Sequence, residues 1–460
     1  MKLRPLDQQL AELLPPDSLY AVGGRVRDEI RAEIEGIDPR VADSDYVVVG
    51  VPLDELLVRL GSLGRVDLVG ASFAVIKLTT AGETVDVALP RRERSVGVGH
   101  RDFLVESGPE VSLEEDLARR DFRINMLARA LPSGRLVDPY GGEADIRARR
   151  IDILTPASFV EDPLRMLRAA RFSARFEYVP TPAVLEAMRS AAPLVTSVSA
   201  ERIAEEFIKL LVRAARPSIG LEVLRETGVL EHLWPELLEG VGVEQNEWHA
   251  YDVWRHSLAT LDATPSGNLV ARLAGLFHDI GKPRTKDGPH FYRHEIVGAE
   301  MATAMLERFR FPQQVVQATE HLVRQHMYSA DPELSDAAMR RFIRRIEPKN
   351  LEHLFALRHA DIRGSGLPKR DGSNELFEAR VREELARKPA FSVRELGIDG
   401  DDVIAALVRR GEVPAGFRGD ERVGAALGWL FEQVTDAPER NERALLLQIL
   451  EQYLDRAGVA

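Results

Sequence analysis

The chain contains the stretch Tyr20-Ala21-Val22-Gly23-Gly24-Arg25-Val26-Arg27-Asp28 and, further on, Asp43-Ser44-Asp45-Tyr46-Val47-Val48-Val49. An apolar run that breaks into two glycines and continues with helical spacing predicts a strand, a tight turn and a helix N-terminus. The free N–H groups and the helix dipole of such a turn favour a bound phosphate. In the second segment, an extended backbone points Asp43 and Asp45 to one face. The pair therefore predicts a Mg²⁺ site beside the phosphate turn.

Composition limits the classes of protein that the chain can represent. It has 460 residues, no cysteine and a formal net charge of −12. The length predicts roughly two to four domains. Without cysteine the chain has no disulfides or thiolate metal sites, which is typical of proteins in a reducing cytoplasm. No apolar run has the length and pattern of a membrane span or a secretory signal. We therefore expect a soluble cytoplasmic protein. Because the net charge is negative, we expect any RNA-binding surface to be a local basic patch.

The periodicity predicts an α+β head and an all-helical remainder. Strand-like segments alternate with a helix up to about Tyr140, and helical spacing dominates from about Ala144 onward. The predicted strands are Leu19–Val22, Tyr46–Val51, Ala74–Thr79, Thr84–Leu89 and Leu136–Val137, with a helix at Leu53–Leu60. Residues 91–113 have glycines and little periodicity, so we expect a long functional loop there. The stretch from Gly364 to Asn374 is expected to be a linker.

Asp86 is the acidic residue within the apolar strand Thr84–Leu89. Aspartate is depleted in strands, so a partly buried one needs a partner. If this strand lies beside that of Asp45, Asp86 completes a three-carboxylate cluster for two metal ions. Such ions activate a hydroxyl nucleophile and stabilise a leaving pyrophosphate.

A dense set of charged and polar side chains follows in Glu114–Leu127. The guanidinium groups of Arg119 and Arg120 suit a triphosphate, while Asp121 and Asn125 suit ribose hydroxyls. Taken alone, this segment is better explained as a salt-bridged amphipathic helix.

Together these motifs resemble, in order, those of class II bacterial tRNA nucleotidyltransferases, the CCA-adding enzymes, which are related to bacterial poly(A) polymerases. The resemblance covers roughly residues 20–215. The matching motifs are Gly23-Gly24 with Arg27-Asp28, Asp43-x-Asp45, Asp86, Arg119-Arg120-Asp121-Phe122 with Asn125, Asp138-Pro139 with Gly141-Gly142, and Glu161-Asp162-Pro163-Leu164-Arg165.

The resemblance implies a fold, a reaction and a set of site residues. It implies a polymerase-β-like head at 1–142, a nucleotide-selecting neck at 143–215, a helical body at 216–366 and a tRNA-binding tail at 367–460. The implied partners are tRNA, CTP and ATP. The implied catalytic residues are Asp43, Asp45 and Asp86, the first two as Mg²⁺ ligands, and the implied nucleotide-binding residues are Gly23, Gly24, Arg27, Arg120, Asp121, Asn125, Asp162, Arg165 and Arg168.

The neck motif contains two side chains, those of Asp162 and Arg165, that could recognise a nucleobase. Asp162 and Arg165 are three apart, so a helix would put them on one face. A carboxylate accepts from the exocyclic amino group of cytosine or adenine, and a guanidinium donates to the adjacent ring acceptor. Uracil and guanine present a carbonyl instead, at a cost of roughly 1–3 kcal/mol. The segment Ser199–Glu206 resembles the next neck motif, and its capping-box pattern predicts helix stabilisation.

Two positions depart from the family pattern. Arg123 and Met126 stand where family members typically carry threonine and alanine, which affects fine geometry more than the reaction. The loop around Gly97 and Gly99 has full length, which argues against a relative that adds only the two cytidines.

A second constellation of histidines and aspartates lies in residues 250–365. It resembles the HD phosphohydrolase domain, and nitrogen and oxygen ligands of this kind suit a divalent transition metal such as Mn, Ni, Co or Fe. By position, the ligands are His256, His278, Asp279 and Asp361, with His294 and His326 as the additional ligands of two-metal versions. His321 is an alternative to His326, and His290 to His294. The resemblance implies 2′,3′-cyclic phosphodiesterase or phosphatase activity on tRNA ends or nucleotides.

Other interpretations stay open at this stage. The chain could be a dedicated A-adding enzyme, or a poly(A) polymerase, although it has no strongly basic C-terminal extension. It could also be chiefly a phosphohydrolase with an RNA-binding head. A pure RNA-binding scaffold is least favoured, because it needs no metal ligands. Arg340, Arg341, Arg344 and Arg345 form either a phosphate-contacting helix face or a solvated one.

Overall fold

The computed structural model describes residues 3–37, 44–69, 75–95, 103–368 and 372–457. The chain divides into two compact units. The first consists of Met1–Val243 with Ala304–Gln313, and the second of Glu244–Thr303 with Gln314–Ala460. The finer division into head, neck, body and tail stays a prediction.

The first unit is built on a mixed sheet. Among the described residues, seven strands are ordered β3-β4-β5-β2-β1-β8-β9. β2 and β5 run parallel and place Asp45 opposite Asp86. The strands of the chain are β1 Leu19–Val22, β2 Asp45–Val48, β3 Arg65–Val69, β4 Val75–Thr80, β5 Glu83–Ala88, β6 Arg91–Ser95, β7 Phe103–Ser107, β8 Ala128–Ala130, β9 Leu136–Val137, β10 Arg150–Ile151, β11 Val179–Pro180, β12 Lys286–Asp287 and β13 His290–Phe291.

Helices make up most of the chain after the sheet, so the predicted α+β class is confirmed. Those up to residue 243 are α1 Pro5–Leu13, α2 Gly24–Glu35, α3 Leu53–Gly61, α4 Leu113–Ala118, α5 Gly142–Arg147, α6 Ser158–Glu161, α7 Leu164–Phe176, α8 Pro182–Ala191, α9 Ala200–Arg213, α10 Ser218–Glu226, α11 Val229–Leu233 and α12 Pro235–Leu238. Those that follow are α13 Val253–Ala263, α14 Leu269–Phe277, α15 His294–Arg308, α16 Gln313–Gln325, α17 Asp336–Ile346, α18 Leu351–Gly364, α19 Ser373–Ala386, α20 Gly400–Arg409, α21 Glu421–Asp436 and α22 Arg443–Ala457.

The structure corrects the prediction of a loop at residues 91–113. β6 and β7 pair as an antiparallel hairpin within this stretch. Charged residues such as Arg92, Glu93 and Arg94 hide the strand from a pattern that searches for apolar alternation. Gly97 and Gly99 lie outside the described residues. β3 and β8 were also absent from the predicted strands.

Close packing of helices α7 and α10 depends on one glycine. α7 and α10 approach each other so closely that a Cβ atom at Gly220 would stand 2.7 Å from the carbonyl oxygen of Ala170. Real Cβ atoms do not come that close to a carbonyl oxygen, so a larger residue would separate the helices.

The tail of the second unit has an apolar core of its own. It is formed by α20, α21 and α22 with the segment before them, and fully buried members include Val403, Leu430 and Leu446. No described helix of the chain has the length and apolarity needed to cross a membrane.

A buried ion pair anchors the first helix beside the sheet. The guanidinium group of Arg25 donates to both carboxylate oxygens of Asp7, at 2.7 and 2.6 Å. The hydroxyl of Tyr46, the residue after Asp45, donates to the same carboxylate at 2.7 Å. Burial alone would raise the pKa of Asp7, but Arg25 and Tyr46 outweigh it and lower that pKa. α1 therefore fixes both α2 and β2.

We predict that Asp7→Ala destabilises the protein by about 3–5 kcal/mol, because Arg25 would keep a buried charge without its partner. Thermal unfolding followed by circular dichroism measures the effect. The matched control is Glu12→Ala at an exposed position of the same helix. Equal stability of the two variants would contradict the prediction, and Asp7→Ala/Arg25→Met should recover part of the loss.

Candidate functional site

A cavity of about 360 Å³ in the first unit collects most of the residues that the sequence pattern singled out. Strand β2, the start of α2, the segment after α4, and helices α7 and α9 supply its walls. The lining residues are Gly23, Gly24, Arg27, Asp45, Arg119, Arg120, Asp121, Asn125, Asp162, Leu164, Arg165, Arg168, Phe172 and Arg202.

The glycine turn opens α2 toward this cavity. Gly23 is the residue before the helix and has a φ of +66°, a left-handed conformation that favours glycine. A Cβ atom there would lie 2.5 Å from Nη1 of Arg120. A guanidinium group thus packs directly over the N-terminus of a twelve-residue helix. This is an arrangement that suits a polyphosphate.

Two carboxylates are register partners on neighbouring strands of the sheet, and one of them, Asp45, lines the cavity. Asp45 is exposed and begins β2, and its register partner Asp86 is half-buried on β5. This is the pairing that Asp86 was expected to make. Asp43 lies outside the described residues. The oxygen donors of Asp45 and Asp86 fit a hard divalent cation.

A chain of hydrogen bonds joins α2 to α7 through the polar segment after α4. Arg27 Nη1 donates to Asn125 Oδ1 at 2.6 Å. Asn125 Nδ2 donates to Asp121 Oδ1 at 2.7 Å. Arg168 Nε donates to Asp121 Oδ2 at 2.8 Å. The four side chains therefore form one rigid wall of the cavity.

The negative charge of Asp121 stabilises this wall of the cavity. Burial alone would raise the pKa of this carboxyl, but the Arg168 guanidinium and the Asn125 amide outweigh burial and lower the pKa to about 2. A carboxylate with a depressed folded pKa adds stability at pH values above its unfolded pKa of about 3.9. That stability is lost as the pH falls toward 2.

Asp162 and Arg165 both line the cavity, but not as residues of one helical face. Asp162 ends α6 in an extended conformation, with φ −137° and ψ 95°, and α7 begins after Pro163. The prediction of a shared helix face is wrong, because the proline breaks the helix between the two residues. Arg165 donates to Ser158 Oγ and to the Arg119 carbonyl oxygen, each at 2.7 Å.

Arg202 is a cavity residue that the sequence pattern did not reveal. Its Nη2 lies 3.3 and 3.2 Å from the two carboxylate oxygens of Asp162. The segment was interpreted as a helix cap, yet the Ser199 side chain makes no capping hydrogen bond. The sequence signal for Arg202 was the Glu201-Arg202 pair near the start of α9. Its partner Asp162 lies 40 residues earlier in the chain and could not be recognised from the sequence.

The two departures from the family pattern have structural explanations. Arg123 forms ion pairs with Asp145 at 3.1 Å and Asp152 at 3.0 Å. Met126 is 1% exposed and packs in an apolar cluster with Val22 and Leu117. Both side chains support the segment that carries Asp121.

The second unit contains a buried cluster of histidines and carboxylates. Asp279 lies at its centre, with Oδ2 3.3 Å from His256 Nε2 and 3.2 Å from His278 Nε2. Its other oxygen, Oδ1, is 3.4 Å from His294 Nε2 and 3.8 Å from His326 Nε2. One carboxylate therefore faces two separate sets of ligand atoms.

Asp361 completes the first of these sets, since its Oδ1 is 3.2 Å from His256 Nε2. Three of the histidines are oriented by their own backbone. The Nδ1 atoms of His278, His294 and His326 lie 2.9, 2.8 and 2.6 Å from carbonyl oxygens, which leaves each Nε2 directed into the cluster. That orientation is the one used by metal-ligating histidines.

Contacts within the cluster shift the pKa values of its members. Burial alone would lower the pKa of His256, but hydrogen bonds from its ring to Asp279 and Asp361 raise it to about 9. Hydrogen bonds and charge from the histidines lower the pKa of Asp361 against burial. Imidazole and carboxylate donors at this spacing fit one or two divalent cations.

Two of the candidate histidines lie apart from the described cluster. His321 donates to the Ile346 carbonyl oxygen at 3.0 Å, and His290 is exposed and stacks on Tyr292, so neither belongs to the described cluster. His249 was not predicted, yet one of its ring nitrogens and the ligand atoms of His256 and Asp279 lie within 4.8 Å of one another. Lys282 was also missed. Its Nζ donates to Asp279 Oδ2 at 2.7 Å.

Comparison with known proteins gives the family of the chain. Residues 19–152 match the family described as "Poly A polymerase head domain", residues 179–240 that described as "Probable RNA and SrmB-binding site of polymerase A", and residues 249–363 the HD domain. The multifunctional CCA protein of Xanthomonas campestris pv. campestris is 35% identical over 402 residues, covering 83% of this chain and 93% of the relative. The chain belongs to the multifunctional CCA protein family.

Another member, the multifunctional CCA protein of Pseudomonas aeruginosa PAO1, is 34% identical over 411 residues, which cover 85% of this chain and 96% of that protein. Solved structures share the fold. The CCA-adding enzyme of Bacillus stearothermophilus, determined with CTP, has a TM-score of 0.66 at 22% identity with complete coverage of both chains. The Thermotoga maritima CCA-adding enzyme, determined with tRNA, has a TM-score of 0.52 at 18% identity over 98% of this chain and 100% of the other.

Membership of the multifunctional CCA protein family confirms the family, fold class and enzyme class expected from the sequence, a nucleotidyltransferase joined to an HD domain. Both domain types imply dependence on divalent metal ions. The assignments of individual site residues stay predictions.

We predict that Arg168→Ala raises the pKa of Asp121 from about 2 to its ordinary value or above. The variant should then lack the stability that this carboxylate supplies. Wild type keeps that stability down to about pH 4 and loses it between about pH 4 and pH 2. Carboxyl ¹³C titration by NMR measures the change. Arg189→Ala, at an exposed ion pair of the same unit, is the control, and an unchanged Asp121 pKa in Arg168→Ala would contradict the prediction.

For the second unit, we predict that His326→Ala lowers the bound divalent metal while His321→Ala retains it. The reason is that only the first of these two rings lies in the cluster that the structure describes. Metal content after loading with Mn²⁺ is measured by plasma mass spectrometry, with circular dichroism as a test of folding. Equal metal content in the two variants would show that the cluster is not the metal site.

Proposed function

We propose that the protein adds CMP and AMP, from CTP and ATP, to the 3′ end of tRNA without a nucleic-acid template. One observation supports this most strongly. A single cavity holds a glycine turn of the kind that binds phosphate, a carboxylate carried by a strand, and two polar side chains that suit the edge of a nucleobase. These are Gly23-Gly24, Asp45, and Asp162 with Arg165. The relatives named CCA proteins, and the CCA-adding enzymes determined with CTP or tRNA, agree with the proposal.

In the proposed reaction, the 3′-hydroxyl of tRNA loses its proton to solvent as its oxygen attacks the α-phosphorus of the nucleotide, and pyrophosphate leaves with the electron pair of the broken P–O bond. Mg²⁺, when bound by Asp45, Asp86 and Asp43, would supply charge for activating the hydroxyl and stabilising pyrophosphate. The start of α2 and Arg120 bind the triphosphate. Asp121 and Asn125 fix the ribose.

Base choice in this proposal is made by side chains. Asp162 accepts from the amino group of cytosine or adenine, and Arg165 donates to the neighbouring ring nitrogen. Arg202, which contacts both oxygens of Asp162, holds that carboxylate in a fixed orientation. Uracil and guanine would place a carbonyl against Asp162, and the lost hydrogen bond disfavours them.

We propose a second activity for the HD domain, a metal-dependent phosphohydrolase. Asp279 faces two ligand sets, as required for two adjacent cations, and Mn, Ni, Co or Fe suit the imidazole and carboxylate donors. Phosphodiesterase action on 2′,3′-cyclic phosphates, or phosphatase action, follows from the family resemblance. A cytoplasmic location stays part of this proposal.

The decisive test is incubation of the protein with tRNA transcripts lacking CCA, CA or A, each with CTP or ATP. We expect the nucleotides to be added in the order C, C, A. Incorporation of A alone, on the transcript that ends in CC, would make the protein a dedicated A-adding enzyme. Long tails on unstructured RNA would indicate a poly(A) polymerase, and no incorporation on any transcript would refute the assignment.

We also predict that Asp45→Asn lowers nucleotide transfer by a factor of about 1000 or more, because the variant loses a metal-binding charge. Hydrolysis of a nucleoside 2′,3′-cyclic phosphate should stay unchanged, since the HD cluster lies in the other unit. The matched variant Asp361→Asn should do the reverse. If Asp45→Asn keeps the main activity, the chain is chiefly a phosphohydrolase with an RNA-binding head.

A further inference from the structure

The segment that leads into α13 is tied to the metal cluster of the second unit at two points. Gln245 Oε1 accepts a hydrogen bond of 2.6 Å from Lys282 Nζ, and the same ammonium group donates to Asp279 Oδ2 at 2.7 Å. Further along, the Ala250 N–H donates to the carbonyl oxygen of Ser365, the residue that follows α18, at 2.8 Å. The residues between these two contacts are therefore held beside the cluster.

This segment brings a fifth histidine to the cluster. His249 is half-buried, and one of its ring nitrogens and the ligand atoms of His256 and Asp279 are all within 4.8 Å of one another. The rings of His249 and His256 have centroids 4.6 Å apart and planes at 79°. Two donor atoms on one cation, with bonds of about 2.0–2.2 Å, are at most about 4.4 Å apart. Shifts of a few tenths of an ångström therefore allow the three atoms to share a cation.

A side-chain amide fixes the proton on the His249 ring. Asn246 Oδ1 lies 3.0 Å from His249 Nδ1, and the Trp248 N–H donates to the same amide oxygen at 3.3 Å. Because a backbone N–H is always a donor, its contact identifies the amide atom as the oxygen, which is an acceptor. Nδ1 of His249 therefore carries the proton, and Nε2 keeps a lone pair for a cation. The cluster histidines that bond to backbone carbonyl oxygens have the same arrangement, which is usual for metal ligands.

His256 gives a competing explanation for the position of His249. Nδ1 of His256 is buried and has no hydrogen-bond partner among the residues that the structure describes. The edge-on packing of the His249 ring would then serve only to hold the His256 ring in place. Packing of this kind needs a ring but no particular tautomer. The hydrogen bond from His249 to Asn246, which fixes the tautomer, favours a role for the free nitrogen.

We propose that His249 is a further ligand of the cation that His256, His278, Asp279 Oδ2 and Asp361 hold. Its site then has five protein donors, whereas the site at Asp279 Oδ1 has three, that oxygen and two histidines. A divalent transition metal with up to six ligands keeps at most one open position in the first site and more in the second. The first site therefore binds its cation more tightly, and the second keeps positions for water or a phosphate.

The inference rests on the proposed metal-dependent function of the HD domain and adds to it a ligand outside the set that the family resemblance implies. Its tests measure metal binding and need no substrate. Absence of hydrolysis would therefore leave the role of His249 open to measurement, and a negative result for His249 would leave the hydrolase proposal standing.

The test is a calorimetric titration of the full chain with Co²⁺, together with the visible absorption of the bound ion. Wild type should show two binding events. His249→Phe keeps a ring that can pack on His256 but removes the nitrogen, so the dissociation constant of the tighter event should rise about tenfold or more. The absorption of the first bound equivalent should change, because the coordination of the ion changes. His326→Ala should instead remove the weaker event.

His290→Phe is the matched control, since it makes the same substitution at an exposed histidine outside the described cluster. It should leave both events unchanged, and circular dichroism tests the folding of each variant. An unchanged tighter event in His249→Phe would show that the ring only packs, and would overturn the proposal. Failure of wild type to bind Co²⁺ would refute the metal centre itself, and with it the hydrolase function.

A second measurement uses the wild-type chain, so it does not depend on the folding of a variant. A histidine that binds Co²⁺ through Nε2 keeps its Nδ1 proton, and the paramagnetic ion moves the proton NMR signal of that group far outside its ordinary range. With one equivalent of Co²⁺ we expect three such signals, from His249, His256 and His278. Only two signals would contradict the proposal.

Discussion

The ion pair between the buried carboxylate of Asp121 and the half-buried guanidinium of Arg168 is the contact on which the candidate site of the first unit depends. Asp121 belongs to the segment after α4, and Arg168 to the neck helix α7. Through Asn125 the same carboxylate is connected to Arg27 on α2, the helix that begins at the glycine turn. The helix proposed to receive the phosphate and the helix proposed to contact the base are thus fixed to each other by one chain of charged hydrogen bonds. Precise placement of a nucleotide requires that rigidity.

A single carboxylate has the corresponding role in the second unit. The two oxygens of Asp279 face different ligand sets, and Lys282 Nζ also donates to Oδ2, the oxygen on the His256 and His278 side. Nitrogen and oxygen ligands supply every contact, which agrees with a chain that has no cysteine. The two proposed chemistries, which both need divalent cations, therefore use separate residues of one polypeptide, and we expect that each can be removed by substitution without removing the other.

The sequence was informative where the chemistry of a residue conflicts with its expected surroundings. Asp86 in an apolar strand required a partner, and the structure pairs it with Asp45. The hairpin of β6 and β7 was missed because its strands are rich in charge. His321 and His326 could not be separated by sequence, since the choice depends on where α16 ends: His321 lies within this helix and His326 directly follows it. Arg202 was missed because its contact with Asp162 depends on how α9 packs.

The central claim is that protein side chains, and not a nucleic-acid template, select the base. The most direct test is the ratio of kcat/KM for CTP to that for UTP, on a tRNA transcript lacking CCA, in wild type and in Asp162→Asn. The asparagine keeps the shape but offers an N–H donor to the uracil carbonyl. We predict that the ratio falls by a factor of roughly 5–150, which corresponds to about 1–3 kcal/mol. An unchanged ratio, whatever the loss in rate, would contradict the account.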